Sequence, residues 1–181
     1  MDPDKLFTIG HSTRSLGEFL ELLKREGVRH LIDVRAFPVS GRYPHFSRIS
    51  LETSLAASSI GYTHFPELGG RRRPRPDSRN VQWRNAGFRA YADYMETSDF
   101  ADAIDRLLDA AQKETSAVMC AEAVPWRCHR NLIADAVTAR GVDVFHILDG
   151  ATKGHTITAF ARVEDSRVRY DSTVQPELFH G

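Results

Sequence analysis

Five short apolar runs alternate along this chain with stretches whose apolar residues recur three or four positions apart, and that alternation restricts the fold more than any other feature. Leu6–Ile9, His30–Arg35, Tyr62–Phe65, Ala117–Cys120 and Val142–Leu148 read as strands. After the first of them, Ser15 and Glu18 form a capping box that opens a helix carrying Leu16, Phe19, Leu20 and Leu23, ended by Gly27. A weaker helix is predicted over 48–60, before Gly61. Phe88, Tyr91, Ala92 and Met95 restart helical spacing, and Ser98 is expected to cap a helix bearing Phe100, Ile104, Leu107, Leu108 and Ala111. From Cys128 to Arg140 the stripe Leu132, Ile133, Ala136 and Val137 predicts a helix stopped by Gly141, which makes 117–148 a βαβ unit. Thr156–Val163 and Val168–Tyr170 read as a closing hairpin around Glu164–Arg167. Such alternation predicts an α/β fold, a mostly parallel sheet flanked by helices in a Rossmann-like three-layer arrangement. We expect one domain over residues 1–172, followed by a tail at 173–181.

Composition narrows the setting. The chain has no run approaching the ~18 apolar residues of a membrane span and no signal-peptide pattern, so no membrane partner is expected and the reading is cytoplasmic. Two cysteines do not make a secreted disulfide framework. Net charge is zero, which gives no global argument for nucleic acid. Locally the picture differs. Residues 71–89 carry seven arginines (Arg71, Arg72, Arg73, Arg75, Arg79, Arg84, Arg89) against Asp77, a charge of +6. Pro74 and Pro76 make this segment a loop or lid.

In open α/β sheets, ligands sit beyond the carboxyl ends of the strands. That rule gathers His11 and Ser12 after the first strand, Asp33 and Arg35 at the end of the second, and Cys120 and Glu122 after the fourth. His129 and Arg130 start on the inward side of the following helix. A buried charge at Arg130 needs a partner, either a carboxylate such as Glu122 or an anionic ligand. Asp33, Glu122 and Arg130 are expected to face one hollow.

The same residues carry a family resemblance. Thr8-Ile9-Gly10-His11-Ser12, Asp33-Val34-Arg35 with Pro38 and Ser40, Leu68-Gly69-Gly70, Tyr91-Ala92-Tyr94-Met95, Cys120-Ala121-Glu122 and Cys128-His129-Arg130 occur in that order. Over residues 6–148 this resembles domain-of-unknown-function family 488 (DUF488), widespread in bacteria and archaea. The resemblance implies an α/β domain and functional importance for these residues, but no reaction.

Four chemistries compete for them. In the first, amides at the start of the Cys128–Arg140 helix, with Ser12, Arg35 and Arg130, hold a phosphate while Glu122 or His129 moves protons. Its plain alternative is a bracing network in which Asp33 or Glu122 pairs Arg130. In the second, Cys120 is a nucleophile: Leu31–Arg35 is similar to the strand opening rhodanese sulfurtransferase motifs, and Cys120 ends a strand as their cysteine does. Pro125 and Trp126 interrupt the loop that would cradle an anion, so a small buried cysteine is the preferred reading there. In the third, Cys120, Glu122, Cys128 and His129, with His11 near, hold a metal; their spacing matches no common zinc pattern, and neither metal nor cofactor is expected. In the fourth, Arg71, Arg72 and Arg73 with Trp83, Phe88, Tyr91 and Tyr94 hold a nucleic-acid strand.

The tail Gln175-Pro176-Glu177-Leu178-Phe179 resembles the peptide that docks bacterial replication and repair proteins on the sliding clamp, with Gln175, Leu178 and Phe179 as contacts. The leading expectation is therefore a nucleotide- or nucleic-acid-processing domain linked to repair or replication. A non-catalytic nucleic-acid-binding or clamp-associated module is the alternative, and sulfur transfer through Cys120 ranks third. His45, His64, His146 and His155 are individually uninformative.

Overall fold

Every apolar run of the sequence becomes a strand, and the reason lies in how its side chains divide. In the computed structural model, which describes residues 5–171, β1 (Lys5–Gly10), β2 (His30–Asp33), β3 (Gly61–His64), β4 (Ser116–Cys120) and β5 (Asp143–Ile147) lie parallel in one sheet. A short antiparallel strand, β6 (Thr152–Gly154), completes the order β3-β2-β4-β1-β5-β6. Alternate residues of each strand feed opposite cores. Leu6, Ile32, Val118 and Val144 pack on one face; Phe7, Ile9, Leu31, Ala117, Met119 and Ile147 pack on the other. A sheet buried on both sides needs apolar residues at consecutive positions, which is what these runs supply.

Helices α1 (Leu16–Arg25) and α2 (Arg48–Ala57) cover the second face through Phe19, Leu23, Leu51 and Leu55. Helices α3 (Ala86–Met95), α4 (Ser98–Lys113) and α5 (Arg130–Thr138) cover the first through Tyr91, Phe100, Ile104, Leu107, Leu132 and Ile133. The Ser15/Glu18 capping box forms as expected, and Gly27 takes a positive φ of 68° two residues past α1. The cap of α4 is Thr97 rather than Ser98: the Thr97 hydroxyl accepts from the amide of Phe100, and Ser98 is the first helical residue.

Three further differences concern α5, the strands it joins and the hairpin. Helix α5 begins at Arg130, two residues later than expected, because Pro125–Arg127 forms a separate 3-10 turn and Cys128 is extended. The strands it joins, β4 and β5, are not neighbours, since β1 lies between them. The closing hairpin is shorter than expected, β7 (Arg162–Glu164) with β8 (Arg167–Arg169), turned by Asp165 and Ser166 at positive φ. Among the described residues, no helix is long and apolar enough to cross a membrane.

This topology places a crevice. The chain leaves β1 toward α1 on one face and leaves the adjacent β4 toward α5 on the other. Diverging connections from neighbouring strands open a gap beyond their carboxyl ends.

Candidate functional site

The β1 and β4 ladders continue past the strands: the amide of His11 donates to the Cys120 carbonyl at 3.0 Å and that of Ser12 to Ala121 at 2.9 Å. The two exit loops therefore run side by side before parting. Gly10 makes this possible, because a Cβ there would lie 1.6 Å from the carbonyl oxygen of Glu122. Ser12, at a positive φ of 48°, then turns the chain away.

Between the loops is a cleft of about 720 Å³, within the range of small-molecule sites. His11, Ser12, Arg35, Cys120, Glu122, Cys128 and His129 line it, together with Arg71 from the arginine segment. Eight of the expected site residues thus share one hollow. Other parts of the wall come from residues that the sequence did not single out, among them Arg42 and Tyr43, Phe37, Asn85 and Arg127. Pro38, Gly41 and Pro44 make the segment around 36–44 an irregular loop, but nothing in their spacing shows that it folds over a strand end.

Four expected residues do not reach the cleft. Asp33 is fully buried beneath it, where both carboxylate oxygens grip Arg35 (Nη2 to Oδ2 2.7 Å, Nε to Oδ1 2.9 Å) and Oδ2 also accepts from Tyr62 at 2.7 Å. Its role is to hold the Arg35 guanidinium, which does line the opening, as a bidentate pair. Arg72 leaves the site for a structural task, donating to the carbonyls of Glu67 and Gly69 and stacking 3.5 Å from the Tyr94 ring. Arg73 is solvent-exposed and outside the lining.

Arg130 departs furthest from expectation. It pairs with neither Asp33 nor Glu122 and is fully buried behind the cleft, with Nη2 donating to the Ala123 carbonyl at 3.3 Å. Its Nε and Nη1 meet no acceptor among the described residues. The α5 terminus is likewise no open row of donors. The amide of Cys128 returns to Pro125, that of Asn131 to Cys128 and that of Leu132 to His129, while the Arg130 amide points at Cys128 Sγ at 3.5 Å.

The two histidines on the wall are neutral for a shared reason. Burial, seconded by nearby guanidinium groups, brings His129 down to about 4; burial also dominates at His11, held at about 4. His129 Nε2 faces the Val34 carbonyl at 3.2 Å, so it carries the proton and Nδ1 is free to accept; Cys128 Sγ lies 3.4 Å from that nitrogen. Gly70 leaves room for the ring, because a Cβ there would come within 2.5 Å of Nδ1. At His11 the assignment reverses: Nδ1 donates to the Ser12 carbonyl at 3.0 Å, and Nε2 receives Arg35 Nη1 at 3.4 Å.

The arginine segment is held down rather than loose. Asp93 of α3 accepts from Ser78, Asn80 and the amide of Arg75, fixing the loop against the helix. Its aromatic companions mostly enter the core: Trp83 packs edge-on against Phe88, Phe160 and Tyr170, and Tyr91 is buried with its hydroxyl on the Leu68 carbonyl. Only Phe88 of that set lines the cleft. Among the described residues, no group of three or more histidine, cysteine or acidic side chains is gathered as a metal ion would require. Gln175, Leu178 and Phe179 lie outside the described residues.

No curated protein and no solved structure matches the chain. The family described as "Domain of unknown function DUF488" matches residues 15–137, a narrower span than the motifs suggest, since the Thr8–Ser12 segment falls outside it. That span still holds β2 to β4, the arginine segment and nearly all of α5, and with it most of the cleft; the chain belongs to the DUF488 family.

Proposed function

We propose that the cleft binds the phosphate and base of a nucleotide, free or at a strand end, and that the domain is an enzyme acting on it. The observation that carries this reading is the charge of the wall: Arg35, Arg42, Arg71 and Arg127 surround the opening, and Glu122 is the one carboxylate among its described lining residues. Guanidinium groups at four points around the cleft, Arg35 among them held by Asp33, favour an anion, because fixed like charges in a cleft concentrate the field. Phe37, two-thirds exposed, and Tyr43 and Phe88 offer flat apolar surface at the same rim, suited to stacking a base. A purely apolar ligand would waste the cations, and inorganic phosphate would leave the aromatic rim unused.

Within this reading Arg35 is the fixed phosphate contact, preorganised by Asp33 and unable to swing. Arg42, Arg71 and Arg127 complete the cage. Glu122, whose side chain is exposed at the cleft, is the candidate for proton transfer. His129 serves as an acceptor through Nδ1 at neutral pH, since its second ring proton is lost well below that. The arginine segment steers the substrate through Arg71 alone, Arg72 being committed to Tyr94.

Calorimetric titration of the full chain with adenosine monophosphate, adenosine triphosphate and adenosine tests this. Both nucleotides are expected to bind, the nucleoside at least about tenfold more weakly, with affinity falling as salt rises. Arg42→Ala combined with Arg71→Ala should weaken nucleotide binding by about tenfold or more. Equal affinity for nucleoside and nucleotide, or no binding of any of the three, would overturn the reading.

A further inference from the structure

Two thiols meet on the cleft floor, where β4 ends and α5 is about to begin. Cys120 and Cys128 are 2% and 5% exposed, both reach the lining, and Cys128 donates to Cys120 with the sulfurs 2.7 Å apart. Their approach is built into the backbone: the intervening loop closes through the 3-10 turn Pro125–Arg127, and the Cys128 amide is tied to the Pro125 carbonyl at 2.9 Å. A bonded pair of sulfurs sits at about 2.05 Å, so joining these two requires only a small rotation of each side chain.

The second observation is the cation behind them. Arg130 is fully buried, and among the described residues its Nε and Nη1 have no acceptor. An uncompensated buried charge costs several kcal/mol, so a fold that keeps one places something negative beside it. Neither Asp33 nor Glu122 takes that position. Cys120 stands close enough for the guanidinium to act on it. Burial pushes the Cys120 thiol up, but the hydrogen bond from Cys128 and the charge of Arg130 outweigh it and leave the thiol below its ordinary value. The same hydrogen bond, and after it burial, push Cys128 up, so one thiol of the pair ionises and the other keeps its proton.

We propose that Cys120 and Cys128 are a redox-active dithiol that reduces a small hydroperoxide, with Cys120 attacking and Cys128 resolving. The Cys120 thiolate attacks the terminal oxygen of ROOH: an S–O bond forms, the O–O bond breaks, and the electron pair leaves on RO⁻, which is protonated by water to ROH. Cys120, oxidised by two electrons, is then a sulfenic acid. Cys128 attacks that sulfur; the S–S bond forms, the S–O bond breaks, and the departing hydroxide takes the Cys128 proton and leaves as water. In total two thiols and ROOH become one disulfide, ROH and water, and a dithiol small enough to enter the cleft restores the pair by two exchanges. The near-complete burial of both sulfurs selects an oxidant as small as a hydroperoxide over a bulky disulfide. This inference stands apart from nucleotide binding, since it rests on the sulfurs and Arg130 and not on the rim.

The test treats the reduced full chain with hydrogen peroxide, then measures intact mass and free thiols after denaturation. Loss of two hydrogens and of both thiols, reversed by dithiothreitol, is expected. Cys128→Ser should stop at one added oxygen, trapped on Cys120 by a sulfenic-acid reagent. Arg130→Met should slow oxidation of Cys120 by at least about tenfold in a protein whose circular dichroism is unchanged. Survival of both thiols in excess peroxide, oxidation of Cys120 beyond the sulfenic acid without a disulfide, or an unchanged rate in Arg130→Met would overturn the proposal.

Discussion

Helix α5 carries two clusters of buried polar side chains, one at its start and one at its middle, and they are satisfied to different degrees. At the middle, Asp135 accepts from His155 Nε2 at 2.7 Å, from the Thr158 hydroxyl and amide at 2.7 and 3.0 Å, and from the Tyr170 hydroxyl at 2.6 Å. The chain continues without a gap: His155 Nδ1 accepts from His146 Nε2 at 2.9 Å, and His146 Nδ1 from the Thr8 hydroxyl at 2.6 Å. The order of residue types, hydroxyl to imidazole to carboxylate, is that of a nucleophile with its base. Yet Thr8 is 1% exposed on the central strand, so no substrate reaches it. The cluster binds β1, β5, α5 and the C-terminal hairpin to one another.

At the start of the same helix, two Arg130 nitrogens have no acceptor among the described residues, the two thiols are hydrogen-bonded to each other, and the group opens on a cationic cleft. The difference separates bracing from chemistry more cleanly than residue type does. A sealed polar cluster is stable only if every member is satisfied. One that borders a cleft retains an unmatched charge, and that imbalance is what perturbs a neighbouring thiol.

Among single substitutions, the largest effect should come from breaking the sealed cluster. Asp135→Ala strands His155, Thr158 and Tyr170 in the core and is expected to cost about 3–5 kcal/mol in urea unfolding. A loss below ~1 kcal/mol would mean that the network braces nothing. Acidification, unlike a substitution, touches both clusters at once. His11 and His129 at the cleft are held at about 4, and His146 in the network at about 3, all chiefly by burial. The unfolded chain protonates these groups near 6.5, so between those values it binds more protons than the folded one. Stability is complete above about pH 6.5 and declines as pH falls, by about 1.4 kcal/mol per unit for each well-buried group. Urea midpoints measured from pH 7 to 4 should fall steadily, and a flat profile would contradict neutral histidines in both places. The smallest effect is the sharpest contrast. Arg130→Met removes an unpaired buried cation at similar volume, and unfolding should shift by less than about 1 kcal/mol, or toward greater stability. A loss as large as that of Asp135→Ala would show that the start of the helix is braced like its middle.

How much of this was legible in the residues differs between the same two places. The strand ends were readable, because apolar runs fix where strands stop and parallel topology gathers their ends; His11, Arg35, Cys120 and Glu122 do share the cleft. The Asp135 cluster left no trace, since Thr8, His146, His155 and Tyr170 come from four distant segments with no common spacing. The arginine segment misled in a different way. Its charge run reads as a single surface, but Arg72 is consumed by Tyr94 and two backbone carbonyls, and Arg75 by Glu96. Charge is visible in a sequence, whereas whether a charge is already spent is not.

By itself the order of residues determined the layers, the strand ends and the capped start of α1, because these depend on local periodicity and on hydrogen bonds between near neighbours. Only the tertiary structure decided that Arg130 goes unpaired, that Asp33 serves Arg35, and that two cysteines eight positions apart touch. Pairing of buried charges and thiols is settled by which segments the packed core brings within about 3–4 Å, and that distance has no counterpart in spacing along the chain.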